Sequence, residues 1–220
     1  MIFGSGALGE RALDGTAVRS ALAMLGLDRT MLVVGKGCRP VSLSGLPVEA
    51  VRSDLEHLGP AVAAAQASRA ARLVLDLPTD LDAEGACRTV YDVVSRHPGL
   101  AVAVQTPADG PLSDPRQLLL VFEDLAGRPV GYWHRPARVH LSDLGEIDWL
   151  DLIGGSLVGI SLDDVAGSET GLPPGLGELD YRTLSEMHGR AVPTVLDVDP
   201  VPDVALLKIA LDTLRANGFR

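Results

Sequence analysis

The chain has 220 residues, 46% of them hydrophobic and 4% aromatic, and a formal net charge of −10. That length suits one domain, and the apolar content, mostly Ala, Val and Leu, is enough for a large core. The charge opposes a polyanionic partner, no basic run exceeds two residues, and no apolar stretch approaches the roughly 20 residues of a membrane span, so neither nucleic acid nor membrane is expected. Cys38 and Cys87 stand apart without metal-ligand spacing, which fits buried thiols in a reducing cytoplasm better than a disulfide.

In chain order, Ile2–Ser5 reads as a strand and Thr16–Leu25 as a helix, followed by a strand at Met31–Val34. Pro40–Ser44 is a candidate third strand, and Pro47–Ala71 reads as one long helix broken at Gly59–Pro60. From there the pattern is regular. Short β-branched runs at Leu73–Leu77, Leu100–Gln105, Val130–His134, Leu157–Leu162 and Thr194–Val198 have the character of parallel strands buried on both faces. Helical periodicity fills Ala83–Ser95, Pro115–Leu125 and Asp203–Ala216, the last with Gly218 as a stop. Strand starts recur every roughly 30 residues, the length of a βα unit. Eight strands with one crossover helix missing predict an α/β chain, a (β/α)8 TIM barrel shortened in its N-terminal third, as a single domain over residues 1–220.

Four segments carry a resemblance: GYWHRPARVH (131–140), GISLDD (159–164), PGLGELDY (174–181) and TVLDVDP (194–200). In order and spacing they resemble the xylose isomerase-like TIM-barrel family of sugar-phosphate isomerases and epimerases, with AP endonucleases as distant members. The resemblance implies a divalent metal at the barrel mouth, held by acids and an imidazole and polarising a carbonyl or hydroxyl. Carried over by position, the family's fifth-strand glutamate is Gln105, its sixth-strand aspartate is Arg135, and the histidine three residues on is Arg138. Its seventh-strand histidine is Ser161, its last-strand glutamate is Asp197, and Asp164 matches the acid closing the seventh-strand motif. One acid, one amide and two permanently charged guanidinium groups hold a hard cation poorly, so no metal and no other cofactor is expected.

The remaining polar residues at strand ends allow two uses each. Arg135 and Arg138 either clamp a phosphate or carboxylate, or pair internally with Asp76, Asp163 or Asp197 and plug the vacated site. His134 is either a general acid/base or a ring packed beside Trp133, and a one-residue change of strand phase would seat it in the ligand position instead of Arg135. Asp163 and Asp164 either act at the mouth or cap the next turn. The resemblance implies that Asp197, in the family's glutamate position, points into the cavity, and Asp199 ends the strand or caps the last helix. The glycine-rich loop Gly167–Gly177 either cradles a phosphate or simply connects. His140 is placed on the surface.

Two functions emerge as expectations. One is a sugar or sugar-phosphate isomerase/epimerase-like enzyme without the usual metal. There His134, Asp164 and Asp197 would move protons, and Asp76, Gln105, Arg135, Arg138, Ser161 and Asp163 would bind a small anionic or polyhydroxylated ligand. The other is a catalytically inactive barrel serving binding or assembly, a homo-oligomer being one form it could take.

Overall fold

The computed structural model describes residues 1–35, 43–188, 192–201 and 203–219. Eight parallel strands close a barrel: β1 (Ile2–Gly4), β2 (Thr30–Val34), β3 (Val48–Asp54), β4 (Arg72–Asp76), β5 (Ala101–Gln105), β6 (Val130–His134), β7 (Leu157–Leu162) and, after a hairpin, β10 (Thr194–Leu196). Each pairs with its neighbour in sequence, and β10 closes against β1 through Ile2–Val195 and Phe3–Leu196. The hairpin is the antiparallel pair β8 (Asp164–Ala166) and β9 (Glu169–Leu172).

Helices α1 (Gly15–Leu25), α2 (Leu58–Ser68), α3 (Ala83–Arg96), α4 (Pro115–Asp124), α5 (Pro136–His140), α6 (Glu146–Ile153), α7 (Tyr181–His188) and α8 (Val204–Ala216) surround the strands. Aspartates start several of them: Asp14, Asp82, Asp114 and Asp203 accept backbone N–H bonds at the heads of α1, α3, α4 and α8. Asp203, rather than Asp199, therefore caps the last helix. Among the described residues no helix is long and apolar enough to cross a membrane.

The N-terminal third departs from expectation. Val48–Asp54 is a strand, paired to β2 on one side and β4 on the other, where the sequence pattern predicts a helix. The reason is cross-strand pairing, which outweighs a local pattern. The helix begins only at Leu58, and Pro60 sits in its first turn, where a missing N–H costs no internal bond. Of the candidate strand at 40–44, residues 40–42 lie outside the described residues, and Leu43 and Ser44 are not strand. The described residues between β2 and β3 hold no helix, in keeping with a trimmed unit.

Alternation along each strand separates two cores. Ile2, Met31, Ala50, Val74, Ala103, Trp133 and Val195 fill the lumen, one residue from each of seven strands. Phe3, Leu32, Val51, Leu73, Leu75, Val104, Tyr132 and Leu196 face the helices. Trp133 needs room that only glycine gives on the next strand: a Cβ at Gly159 would fall 2.2 Å from its ring. The same parity sets Trp133 and Arg135 on the inside of β6 and His134 on the outside.

Candidate functional site

The mouth of the barrel lies beyond the lumen cluster, at the C-terminal ends of the strands, where catalytic groups sit in this architecture. Arg52, Asp76, Gln105, Arg135, Ser161, Asp163 and Asp197 converge there, with Arg138 reaching in from α5. The sequence-derived positions of Gln105, Arg135, Ser161 and Asp197 are therefore brought together. Arg52 is an addition that the helical pattern of residues 47–71 conceals.

Apart from Gln105 Oε1, which is buried with no hydrogen-bond partner among the described residues, these groups satisfy one another. Arg135 donates from Nε and one terminal nitrogen to the two oxygens of Asp163, at 2.9 and 2.8 Å, a bidentate pair with both side chains buried. Arg138 donates to Asp76 Oδ1 at 2.8 Å and to the Thr106 carbonyl at 2.7 Å. Arg52 bonds Asp197 and lies 3.5 Å from Asp76. Ser161 receives the Trp133 indole N–H at 2.9 Å and the Gln105 amide at 3.3 Å, and donates to Asp197 at 2.8 Å. Three guanidinium groups thus face three carboxylates.

Burial works against the charge on each group, and the partners oppose it. The Asp76 carboxyl, though desolvated, is held below its usual range by Arg52 and Arg138. Arg135, also desolvated, is pushed above the ordinary arginine range by Asp163. Burial pushes the Asp163 carboxyl up, against Arg135, but two parallel short bonds are the geometry of an ionised pair. A divalent cation of the kind the family resemblance implies does not fit here. The acids that could bind it are already bonded to fixed positive charge, and an incoming cation would meet three guanidinium groups at contact range.

Asp164 does not face the mouth. Its parity is opposite to that of Ser161 and Asp163, and its buried carboxylate accepts N–H bonds from Val165, Gly175, Gly177 and Leu179 at 2.9–3.1 Å. The glycine-rich loop does cradle an anion with its backbone, and that anion is the protein's own aspartate. Asp164 therefore holds the loop, and its expected proton-transfer role is corrected. Gly171 N–H similarly binds Asp163 at 2.7 Å, drawing the loop over the mouth.

His134 is corrected as well. It ends β6 on the outer face, fully buried against α6 and α7 and away from the lumen. Its Nδ1 lies 2.7 Å from the Tyr132 hydroxyl, which also bonds Thr106 at 2.7 Å, and its Nε2 contacts Glu146 Oε1. The His188 ring packs on it with centroids 4.7 Å apart and brings its own Nε2 within 2.6 Å of the same Glu146 oxygen. His134, Glu146 and His188 together are a donor set that could hold a metal ion, all three ligand atoms lying within 4.8 Å of one another. Burial lowers the pKa of the His134 imidazole despite Glu146. The Glu146 carboxyl, although desolvated, is held at about 2 by the hydrogen bond to His134 and by the His188 imidazole beside it. No spacing motif in the sequence links these three residues, so pattern alone does not reveal Glu146 and His188. His140 lies on the surface as expected, 3.6 Å from Glu178.

Cys87 is a half-buried free thiol against Val121 and Asp124, its pKa raised to about 11 by burial and by Asp124. Cys38 falls outside the described residues.

No protein-family profile matches the chain, and no curated protein sequence does. Solved structures do. A probable 3-DHS dehydratase involved in petrobactin synthesis from Bacillus anthracis superposes with a TM-score of 0.74 at 10% identity, over 98% of this chain and 99% of that one. Endonuclease IV from Thermus thermophilus gives 0.72 at 14% identity, over 98% and 97%. D-psicose 3-epimerase from Clostridium cellulolyticum H10 gives 0.71 at 10% identity, over 99% of each chain. The fold is that of the xylose isomerase-like TIM barrels.

Proposed function

We propose that this chain is a barrel of the xylose isomerase-like fold that has exchanged metal-dependent chemistry at its mouth for an internal charge lattice, and that it works as a binding or assembly protein. The observation that carries this reading is the pairing of Arg52, Arg135 and Arg138 with Asp76, Asp163 and Asp197 at the end of the barrel where its relatives in fold would do chemistry. Each guanidinium there has a carboxylate partner, so an entering anion must displace an internal bond. The formal charge of −10 adds general repulsion of polyanions and argues against nucleic acid, even though an endonuclease shares the fold.

The test is an activity screen of the purified chain with D-psicose, D-tagatose and ketose phosphates, with and without added manganese, magnesium or cobalt. No epimerised product is expected under any condition. Metal-dependent turnover abolished by Asp76→Asn would overturn the proposal.

A second reading keeps a small anionic or polyhydroxylated ligand. It draws on the rim of the lattice, where the side chains of Arg52, Arg138 and Asp76 stay 14–24% exposed and in touch with water. Thermal-shift screening with sugar phosphates and small carboxylates decides it. Stabilisation of the wild type that is lost in Arg138→Ala would favour this ligand-binding reading.

A further inference from the structure

We infer that His134, Glu146 and His188 form a binding site for a divalent transition-metal ion of the zinc type, on the outer flank of β6 and separate from the barrel mouth. The three donors come from three elements: the last residue of β6, the first residue of α6 and the last residue of α7. Both histidine side chains are fully buried, and Glu146 is 15% exposed. Two imidazoles and one carboxylate suit zinc and its first-row neighbours, whereas calcium and magnesium prefer all-oxygen shells.

Two features point to a ligand rather than to a plain buried ion pair. First, both imidazole Nε2 atoms are aimed at one oxygen, Glu146 Oε1. The His188 contact, although 2.6 Å long, lacks the alignment of a hydrogen bond, and among the described residues neither ring nitrogen of His188 has a hydrogen-bond partner. A fully buried imidazole normally has partners, since an orphaned one carries a desolvation cost. An ion seated among the three donors would occupy the Nε2 lone pairs. Ligand atoms around a tetrahedral zinc lie roughly 3.3 Å apart for bonds of about 2.0–2.2 Å. The carboxylate therefore has to withdraw from His188 by less than about 1 Å.

Second, the surroundings supply what such a site uses. The Tyr132 hydroxyl, 2.7 Å from His134 Nδ1, can accept that N–H and so hold the ring with Nε2 free for a metal, an outer partner of the usual kind. Glu146 also lines a groove of about 400 Å³ between α5 and α7, with Val139, Leu179, Leu184 and Met187 along its walls. Three protein ligands beside an open groove leave a fourth position for water or an exogenous ligand.

The purified full chain is to be loaded with zinc or with magnesium, freed of loose ions by gel filtration, and analysed for metal. About one zinc per chain should be retained, and no magnesium. Glu146→Gln and His188→Asn should each weaken zinc binding at least about 100-fold, and Tyr132→Phe about tenfold. Asp76→Asn at the mouth and His97→Ala at the half-buried end of α3 should leave zinc binding unchanged. Cobalt in place of zinc should give visible absorption bands that vanish in His188→Asn. Circular dichroism establishes folding for each variant. If His188→Asn does not fold, the isosteric and partly exposed Glu146→Gln decides alone. Failure of the wild type to retain zinc, or wild-type affinity in folded Glu146→Gln, overturns the inference.

Discussion

Arg135 shows how one side chain can fill the mouth of a barrel with internal charge pairing. Buried beside Asp163, it forms two charge-assisted bonds, and removing it strands the carboxylate. Arg135→Met is expected to cost about 3–5 kcal/mol in urea unfolding, the usual penalty for breaking a buried pair from one side. Adding Asp163→Asn, which removes the orphan charge while keeping an acceptor for Gly171, should recover at least about half of that loss. No recovery in the double variant would show that the pair is not the source of the cost. The flank cluster predicts a pH dependence. Burial lowers the His134 pKa from 6.5, so the unfolded chain takes up a proton there that the native ring resists, and stability falls as pH drops through 6.5. The Glu146 carboxyl, moved from 4.5 to about 2, contributes stability above pH 4.5 that is lost as pH falls toward 2. Urea midpoints measured without added metal should decline across both windows. A flat profile between pH 7 and pH 4 would contradict the burial of the imidazole.

At the scale of elements, the segment after β7 carries most of the departure from a plain barrel. A hairpin and a glycine-rich loop replace a direct βα turn, and Asp164 ties them with four backbone N–H bonds. Bonds to an ionised acceptor are worth about 1.5–3 kcal/mol each and do not sum simply. Asp164→Ala should therefore free the loop before it unfolds the barrel. Limited proteolysis should cut the variant between residues 171 and 179 at protease levels that leave the wild type whole. Protection equal to the wild type would mean that Gly171 and Asp163 suffice to hold it. The β6–β7 contact makes a second element-scale prediction. Gly159→Ala drives a methyl into the Trp133 ring and should cost at least about 1–3 kcal/mol by overpacking. The strand β3 is hidden in the sequence because Glu49, Arg52, Ser53 and Asp54 break up its apolar residues. A charge such as Arg52 reads as solvent-facing until its partner Asp197, from the far end of the chain, is known.

For the whole molecule, closure of eight parallel strands places residues from both ends of the chain at one mouth. The charges there balance locally, three against three, while the remaining surface carries the excess of acid. A mouth so filled has little to gain from a hard cation. Millimolar magnesium should shift the melting temperature by less than about 1 °C, against several degrees for a site saturated to 100 times its dissociation constant. A larger shift, lost in Asp76→Asn, would mean that the lattice opens to admit metal.

Period-two alternation and the recurrence of βα units determined the barrel and most of its strands from the amino acids alone. The same alternation already held the answer to the phase of β6 and to the separation of Asp163 from Asp164, once Trp133 and Ser161 are placed in the lumen. The family resemblance, carried over by position, marked Gln105, Arg135, Ser161 and Asp197 as neighbours. Only the tertiary structure decided which acid meets which guanidinium, that Asp164 is held by a loop, and that Glu146 and His188 are the groups His134 meets. The physical reason is that facing is a local property, repeated every second residue. Pairing depends on distances between side chains that only closure of the barrel and packing of its helices set.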